Sequence, residues 1–356
     1  MGNSAPADIL DAIRGPYRLG PATTMAPLGN GHINQTFLAR DGKHFRVVQQ
    51  INTAVFPEPH ILVENANEIA AHLRNSGSPI RVARHLPDDA GGYLHGAGQD
   101  IRVLEFIPGS RSIEVMESAL QARLAAQAFA TFSRGLADLP ATRLKTVIPD
   151  FHSPAVRFEQ FQKALQSDRV DRVRDCRPEV EFAEGFEPRI RHWQALTDSL
   201  PLRICHNDCK INNLLFDRDG VSTLAVIDLD TCMPGRLMTD FGDLVRSCTS
   251  PEAEDSTRLD RVAARPQIFD ALLDGYLEGM GESLTASERD ALLHGAMMAC
   301  FIQGMRFLTD FIAGDTYFGA AHRLHNLERA RNQFQLYTSL VEQQDELEQL
   351  INRKTT

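Results

Sequence analysis

The 356-residue sequence lacks positive charge: 47 Asp and Glu outweigh 37 Lys and Arg, for a formal charge of −10. Phosphate backbones recruit basic surfaces, so a general nucleic-acid binder is not expected. Six cysteines include no C-x-x-C pair, and Cys205 and Cys209 have no Cys/His partners at zinc-finger spacing. Reduced thiols are the expectation. No stretch approaches the ~18 consecutive apolar residues of a membrane span. The opening "MGNSAPADIL" has neither the basic start nor the apolar run of a secretion signal. Pro6 stands where a myristoylation signal wants Ser or Thr. A cytoplasmic protein, with no membrane or nucleic-acid partner, is expected. Internal repeats and low-complexity linkers are missing too.

What is present is an ordinary globular composition, 43% hydrophobic and 24% charged, on a chain long enough for two lobes. The first third mixes strand and helix signals. Thr36–Ala39 and Phe45–Gln50 flank an Asp41-Gly42 turn, which predicts a hairpin. "EPHILVENANEIAAHLRNSG" has helical spacing and stops at Gly77. "GGYLHG" and "QDIRVLEFI" read as strands, the second broken by Pro108-Gly109. Beyond it the period turns helical, in "SIEVMESALQARLAAQAFATFSRGL", "PRIRHWQALTDSL", "RPQIFDALLDGYLEGM", "TASERDALLHGAMMACFIQGMRFLTDFI" and a charged C-terminal run. The fold class expected is α+β: a small antiparallel-sheet lobe over residues 1–107 and a larger, mainly helical lobe over 108–356. The C-terminal helix, 341–353, reads as a solvated end or a dimer element, so monomer and homodimer both stay open.

The chemistry concentrates in "ICHNDCKINNLLF" and "VIDLDTCMPGRLMTDFGD". Asn213–Phe216 and Thr223–Ile227 form a hairpin about Asp217-Arg218-Asp219-Gly220. That fold brings Asp228 near Asn213, two oxygen donors suited to Mg²⁺. The literal DFG instead offers Asp240, but no strand delivers it to the hairpin. Asp240 is expected to hold backbone amides of the catalytic loop, and Asp243 to cap a following helix. Asp208 precedes Asn213 by the D-x-x-x-x-N spacing of the kinase catalytic loop and would orient an acceptor hydroxyl. His206 is expected to be structural. Lys210 either neutralises a transferring phosphoryl group or is a solvated lysine.

With these residues in view, the sequence resembles the aminoglycoside phosphotransferase and choline kinase superfamily. Within it, the resemblance is to the N-acetylhexosamine 1-kinases, through "GNGHINQTFL", "VVQQINTAVFP", "FHSPAVRFEQF", "CHNDCKINNLLF", "VIDLDTCMPG", "DFGDLVR" and "GMRFLTDFIAGDTYF". The resemblance implies a two-lobed, protein-kinase-like fold using ATP and Mg²⁺ on a small-molecule sugar. Asp208 and Lys210 would be catalytic, and Asn213 and Asp228 metal ligands. Gly29, Asn30 and Gly31 would cover the phosphates. Glu105 and Ile107 would lie at the hinge, where main chain meets adenine. His32, Asn34, Asp230, Arg306 and Tyr317 are the sugar-side candidates. One departure stands out. The lysine that kinases carry on their third strand is replaced by Gln49, and Arg46 points to the other face. Either Glu64 or Glu68 would be the helix glutamate that pairs with such a lysine. Another small-molecule kinase of the same fold, or a nucleotide-binding pseudokinase, are the competing readings.

Overall fold

The computed structural model describes residues 5–29, 33–96 and 98–355. Its first sheet is antiparallel, in the order β1 (Thr24–Pro27), β2 (Gln35–Asp41), β3 (His44–Gln50), β4 (Ile101–Glu105). The predicted hairpin is β2–β3, and Gly42 takes the positive φ of +61° that its turn requires. Side chains alternate across this sheet. Phe37, Ala39, Val48, Ile101 and Val103 face a helix, Pro6–Arg14, and bury its Ile9, Leu10 and Ile13. Thr36, Val47, Gln49, Arg102 and Leu104 lie on the opposite face and line an interlobe cleft.

One sequence expectation fails here, and one helix was not anticipated. "GGYLHG" is not a strand; only an isolated bridge joins His95 to Ile101. The N-terminal helix Pro6–Arg14 is short, 9 residues, though Ile9, Leu10 and Ile13 do form one apolar face. Helix Pro59–Asn75 forms as expected, and packs Ala66, Ile69 and Leu73 into the large core of the helical part.

That core gathers the helices Ala119–Gly135, Glu187–Ser199, Leu237–Cys248, Pro266–Met280, Leu292–Ala313 and His325–Glu342. Helix Leu292–Ala313 is long and apolar enough by composition to cross a membrane; its surface is mostly buried in this core. It crosses Leu237–Cys248 at a contact only glycine permits. A Cβ on Gly295 would sit 2.1 Å from Met238 O, and one on Gly242 would sit 2.3 Å from Gly295 O. The C-terminal helix Gln344–Thr355 is not a solvated end. Leu347 and Ile351 are buried, and Lys354 pairs with Asp270 and Asp274 at 2.6 and 2.5 Å. All six cysteines are buried and unpaired.

A second sheet joins β5 (Ser110–Arg111), β7 (Leu214–Asp217) and β8 (Thr223–Val226). A third pairs β6 (Arg203–Cys205) with β9 (Met233–Gly235). The first of these carries the metal-loop residues and the second frames the catalytic loop.

Candidate active site

β6 and β9 run antiparallel and deliver the chain into the loop after Cys205. Asn207 takes a positive φ of 62°, which a non-glycine residue holds only when its surroundings compensate. They do. Its side-chain amide donates to Cys205 O, Thr231 O and Met233 O, and its backbone N–H donates to Asp240 Oδ1. Its carbonyl accepts from His152 Nε2 at 2.9 Å. Burial pushes His152 down to about 4, so it serves as a neutral donor. His206 is fully buried, packed edge-on against Phe129 and Phe132, and its Nε2 hydrogen-bonds with Ile227 O at 3.0 Å. Burial holds its imidazole below its ordinary range, which suits a structural role.

Asp208 follows, half-buried. Burial, the largest influence, works against its charge, but the Lys210 ammonium, 3.1 Å from Oδ1, together with His206 and Arg246 outweighs it and holds the carboxyl below the usual range. Asp208 in turn raises Lys210. Lys210, its side chain 39% exposed, is therefore an ion-pair partner of Asp208. Asn213 Nδ2 donates to both Asp208 O and Asp208 Oδ2, each at 2.9 Å. Both amide hydrogens are thus spent, which leaves Asn213 Oδ1 as a donor atom for a cation.

The hairpin forms as predicted, with strands Leu214–Asp217 and Thr223–Val226 and an irregularity between Leu215 and Phe216. Ile227 N donates to Asn213 O at 2.9 Å, so Asp228 stands one residue beyond the position opposite Asn213. Asp228 has a left-handed backbone, φ 59°, and opens the one-turn helix Leu229–Thr231. Its side chain is exposed at the cleft wall, close to the Asp230 and Asp208 carboxylates. Desolvation by the surrounding protein, then Asp230 and Asp208, push it up to about 7. No described residue hydrogen-bonds this carboxylate. Two oxygen donors, one of them a carboxylate short of positive charge, fit a hard divalent cation.

Asp240 and Asp243 both lie inside helix Leu237–Cys248. Asp240 holds the amides of His206 and Asn207, as expected. Asp243 does not cap a following helix, because the helix begins six residues earlier; it pairs with the buried Arg246 at 2.8 Å. Arg246 also meets Glu254 at 2.5 Å, and Glu254 meets Arg329 at 2.6 Å.

The N-lobe wall differs most from expectation. Gln49 donates to Thr36 Oγ1 and accepts from Arg102 Nε, both at 3.0 Å. Arg102, 2% exposed, forms a two-pronged pair with Asp230: Nη1 to Oδ1 at 2.6 Å and Nη2 to Oδ2 at 2.7 Å. Asn34 Nδ2 donates to the same Oδ2 at 2.7 Å, and Asn34 Oδ1 accepts from Asn52 N. Asp230 and Asn34 are therefore committed to each other and to Arg102, not left open for a sugar. Glu64 pairs with Lys145 and Glu68 with Arg143, each at 2.6 Å, so neither glutamate reaches the cleft face of the sheet. Arg46 lies across the sheet, near the Tyr17 ring. Gly29 lines the cleft at φ +72°; Asn30, Gly31 and His32 lie outside the described residues. Glu105 is held by Arg81 and Arg84 at 3.2 and 3.0 Å, and Ile107 O accepts from Ser110 Oγ at 2.6 Å. Both residues line the cleft, whose volume is ≈ 1060 Å³, ample for a nucleotide.

On the far side, Arg306 sits among the rings of Phe151, Phe318 and Tyr317, at 5.1, 5.2 and 5.7 Å. Its one hydrogen-bond partner among the described residues is Gln303, at 2.9 Å. Burial lowers its pKa, and Asp208 is within electrostatic reach. Tyr317 is 46% exposed at the cleft edge. Its loop is fixed by Asp310, which accepts from the backbone N–H of Thr316, Tyr317 and Phe318 at 2.9, 2.8 and 2.8 Å. Asp310, Arg102 and His152 escaped sequence reasoning, although all three sit inside or beside stretches already singled out.

The two-lobed fold is similar to that of solved small-molecule kinases. An aminoglycoside phosphotransferase from Alicyclobacillus acidocaldarius matches with a TM-score of 0.61 at 13% identity, over 98% of each chain. A spectinomycin phosphotransferase in complex with ADP and spectinomycin matches at 0.62 and 11%, over 96% of this chain and 98% of that one. A choline kinase from Cryptosporidium parvum matches at 0.53 and 15%, over 95% of each. Fold and site together define a phosphotransferase that acts on hydroxyl groups. Residues 24–282 match the phosphotransferase enzyme family, APH, and the chain belongs to it.

Proposed function

We propose that this chain transfers the γ-phosphate of ATP to the anomeric hydroxyl of an N-acetylhexosamine, giving the sugar 1-phosphate. Asn213 Oδ1 and Asp228 would hold Mg²⁺, which screens phosphate charge and aligns the γ-phosphoryl group. Main chain at Glu105–Ile107 would meet adenine. Asp208, kept ionised by Lys210, would accept the proton of the C1 hydroxyl as its oxygen bonds to phosphorus and ADP leaves. A hemiacetal hydroxyl is more acidic than other sugar hydroxyls, so a weak carboxylate base suffices.

The observation that carries the sugar reading is Arg306: a cation boxed by three rings with no ion-pair partner among the described residues. A guanidinium without an ion-pair partner repels an ammonium group placed beside it, which disfavours aminoglycosides and amino alcohols. It suits a neutral ligand offering carbonyl and hydroxyl oxygens, with Tyr317 as a stacking surface. The test offers ATP and Mg²⁺ with N-acetylglucosamine, N-acetylgalactosamine, their methyl glycosides, choline and kanamycin. Free N-acetylhexosamines are expected to yield a product without a reducing end, and methyl glycosides none. Phosphorylation of a methyl glycoside, or turnover confined to the amines, would overturn the reading.

A further inference from the structure

We propose that Arg102, on β4, does the work of the strand lysine that this chain lacks: it grips the nucleotide phosphates, oriented by Asp230 instead of a helix glutamate. The inference rests on the reading that the cleft holds a nucleotide.

The register carries the first part. Gln49 stands where the lysine would be, and Arg102 is its Cα partner on the next strand. Directly opposed residues share a face of the sheet, about 5 Å apart. Moving the cation from β3 to β4 therefore shifts it by one strand spacing, which the longer arginine side chain can span. Gln49, left neutral, accepts from Arg102 Nε and steadies the guanidinium. Among the described residues of this sheet that line the cleft, Arg102 is the one cation. His85 also lines the cleft, but burial and Arg102 itself depress its pKa to about 3.

The second part is the orienting acid. In kinases the lysine is aligned by a glutamate from the neighbouring helix. Here Glu64 and Glu68 are spent on Lys145 and Arg143, and Asp230 binds the arginine from the other lobe. A guanidinium has five N–H donors. One goes to Gln49 and one from each terminal nitrogen goes to Asp230. One N–H on each terminal nitrogen is left for phosphate oxygens, so the pair need not break. Asp230 shares a one-turn helix with Asp228, its N-cap. The same ion pair thus ties the phosphate grip to the metal ligand across the lobes.

The test compares affinities for ADP with Mg²⁺ and for adenosine, by isothermal titration, in wild type, Arg102→Gln and Gln49→Lys/Arg102→Gln. If wild type binds neither ligand, the nucleotide reading itself fails. With wild type binding both, Arg102→Gln is expected to weaken ADP by roughly tenfold or more while adenosine holds, the scale of a lost charge-assisted hydrogen bond. The double variant, which returns a cation to β3 beside Asp230, is expected to recover most of that loss. Unchanged ADP affinity in Arg102→Gln, or a parallel loss of ADP and adenosine, would overturn the proposal. Should Arg102→Gln fail to fold, Arg102→Gln/Asp230→Asn, which leaves no unpaired buried charge, decides: ADP weakened while adenosine holds is expected, and unchanged ADP affinity or a parallel loss of both ligands overturns the proposal.

Discussion

The Asp240 carboxylate accepts hydrogen bonds from two consecutive backbone amides, His206 N at 2.9 Å and Asn207 N at 2.8 Å. The literal DFG aspartate is thus a clamp on the loop at residues 206–207, and Asp228 is the proposed metal ligand. Asp240→Asn offers one acceptor where two N–H groups point, and leaves one unsatisfied. A loss of about 1–3 kcal/mol is expected, with Mg²⁺-dependent ADP binding kept in the folded protein. Asp228→Asn should behave oppositely. It removes a carboxylate that is exposed at the cleft wall and has no hydrogen-bond partner among the described residues, so thermal stability is expected to hold while the Mg²⁺ dependence of ADP binding vanishes. Thermal melts and ADP titrations with and without Mg²⁺ check both; exchanged phenotypes would reverse the two roles.

Asp208 works as a carboxylate, and Lys210 keeps it one. Asp208→Asn is expected to bind nucleotide normally and to lose at least ~10²-fold in kcat, the scale of a missing general base. Lys210→Met removes the largest influence opposing burial. Asp208 should then protonate at higher pH, so the acid limb of the kcat profile is expected to move upward. A limb that stays in place or moves down would show that Lys210 does not set this charge.

Helix packing reaches the chemistry through Gly295. A methyl group there would meet Met238 O at 2.1 Å, in the helix that carries Asp240. Gly295→Ala is expected to cost roughly 1–3 kcal/mol by overpacking and to lower kcat as Asp240 shifts against the loop. Urea unfolding together with steady-state rates checks this. Full stability in the variant would mean the helices separate freely.

His85 predicts an acid-side loss of stability. It is 7% exposed, with Nδ1 3.3 Å from Asn67 Oδ1, and burial holds its pKa near 3. The unfolded chain takes up this proton near pH ~6.5 and the folded chain does not. The stabilisation is therefore whole above that pH and is lost as pH falls toward 3, by at most about 1.4 kcal/mol per unit. Urea melts at about pH 7 and about pH 5 should show a shallower decline in His85→Gln than in wild type. Equal slopes would assign the acid sensitivity to other groups.

Much of the site was legible because it is local. Asp208, Asn213 and Asp228 lie within one loop and one hairpin, so the D-x-x-x-x-N spacing and an Asp-Gly turn bring them together with little help from the rest of the chain. Asp240's task followed from what it lacked, a strand to carry it to the metal. The β2–β3 hairpin and the long helices were readable for the same reason: their signals are periods and turns of a few residues.

Tertiary structure alone decided which charges meet. Arg102 and Asp230 are 128 residues apart, and Asn34 and Asp230 are 196 apart. Glu64 and Glu68 turned to Lys145 and Arg143, and Asp243 to Arg246, where the sequence offered other partners just as well. The C-terminal helix docked through Leu347 and Ile351, two apolar residues in a charged segment. Alternation along a strand tells which face a side chain takes. It does not tell what the other lobe places opposite that face, because that depends on how close the helices pack beneath it, down to the glycine contact between Gly242 and Gly295.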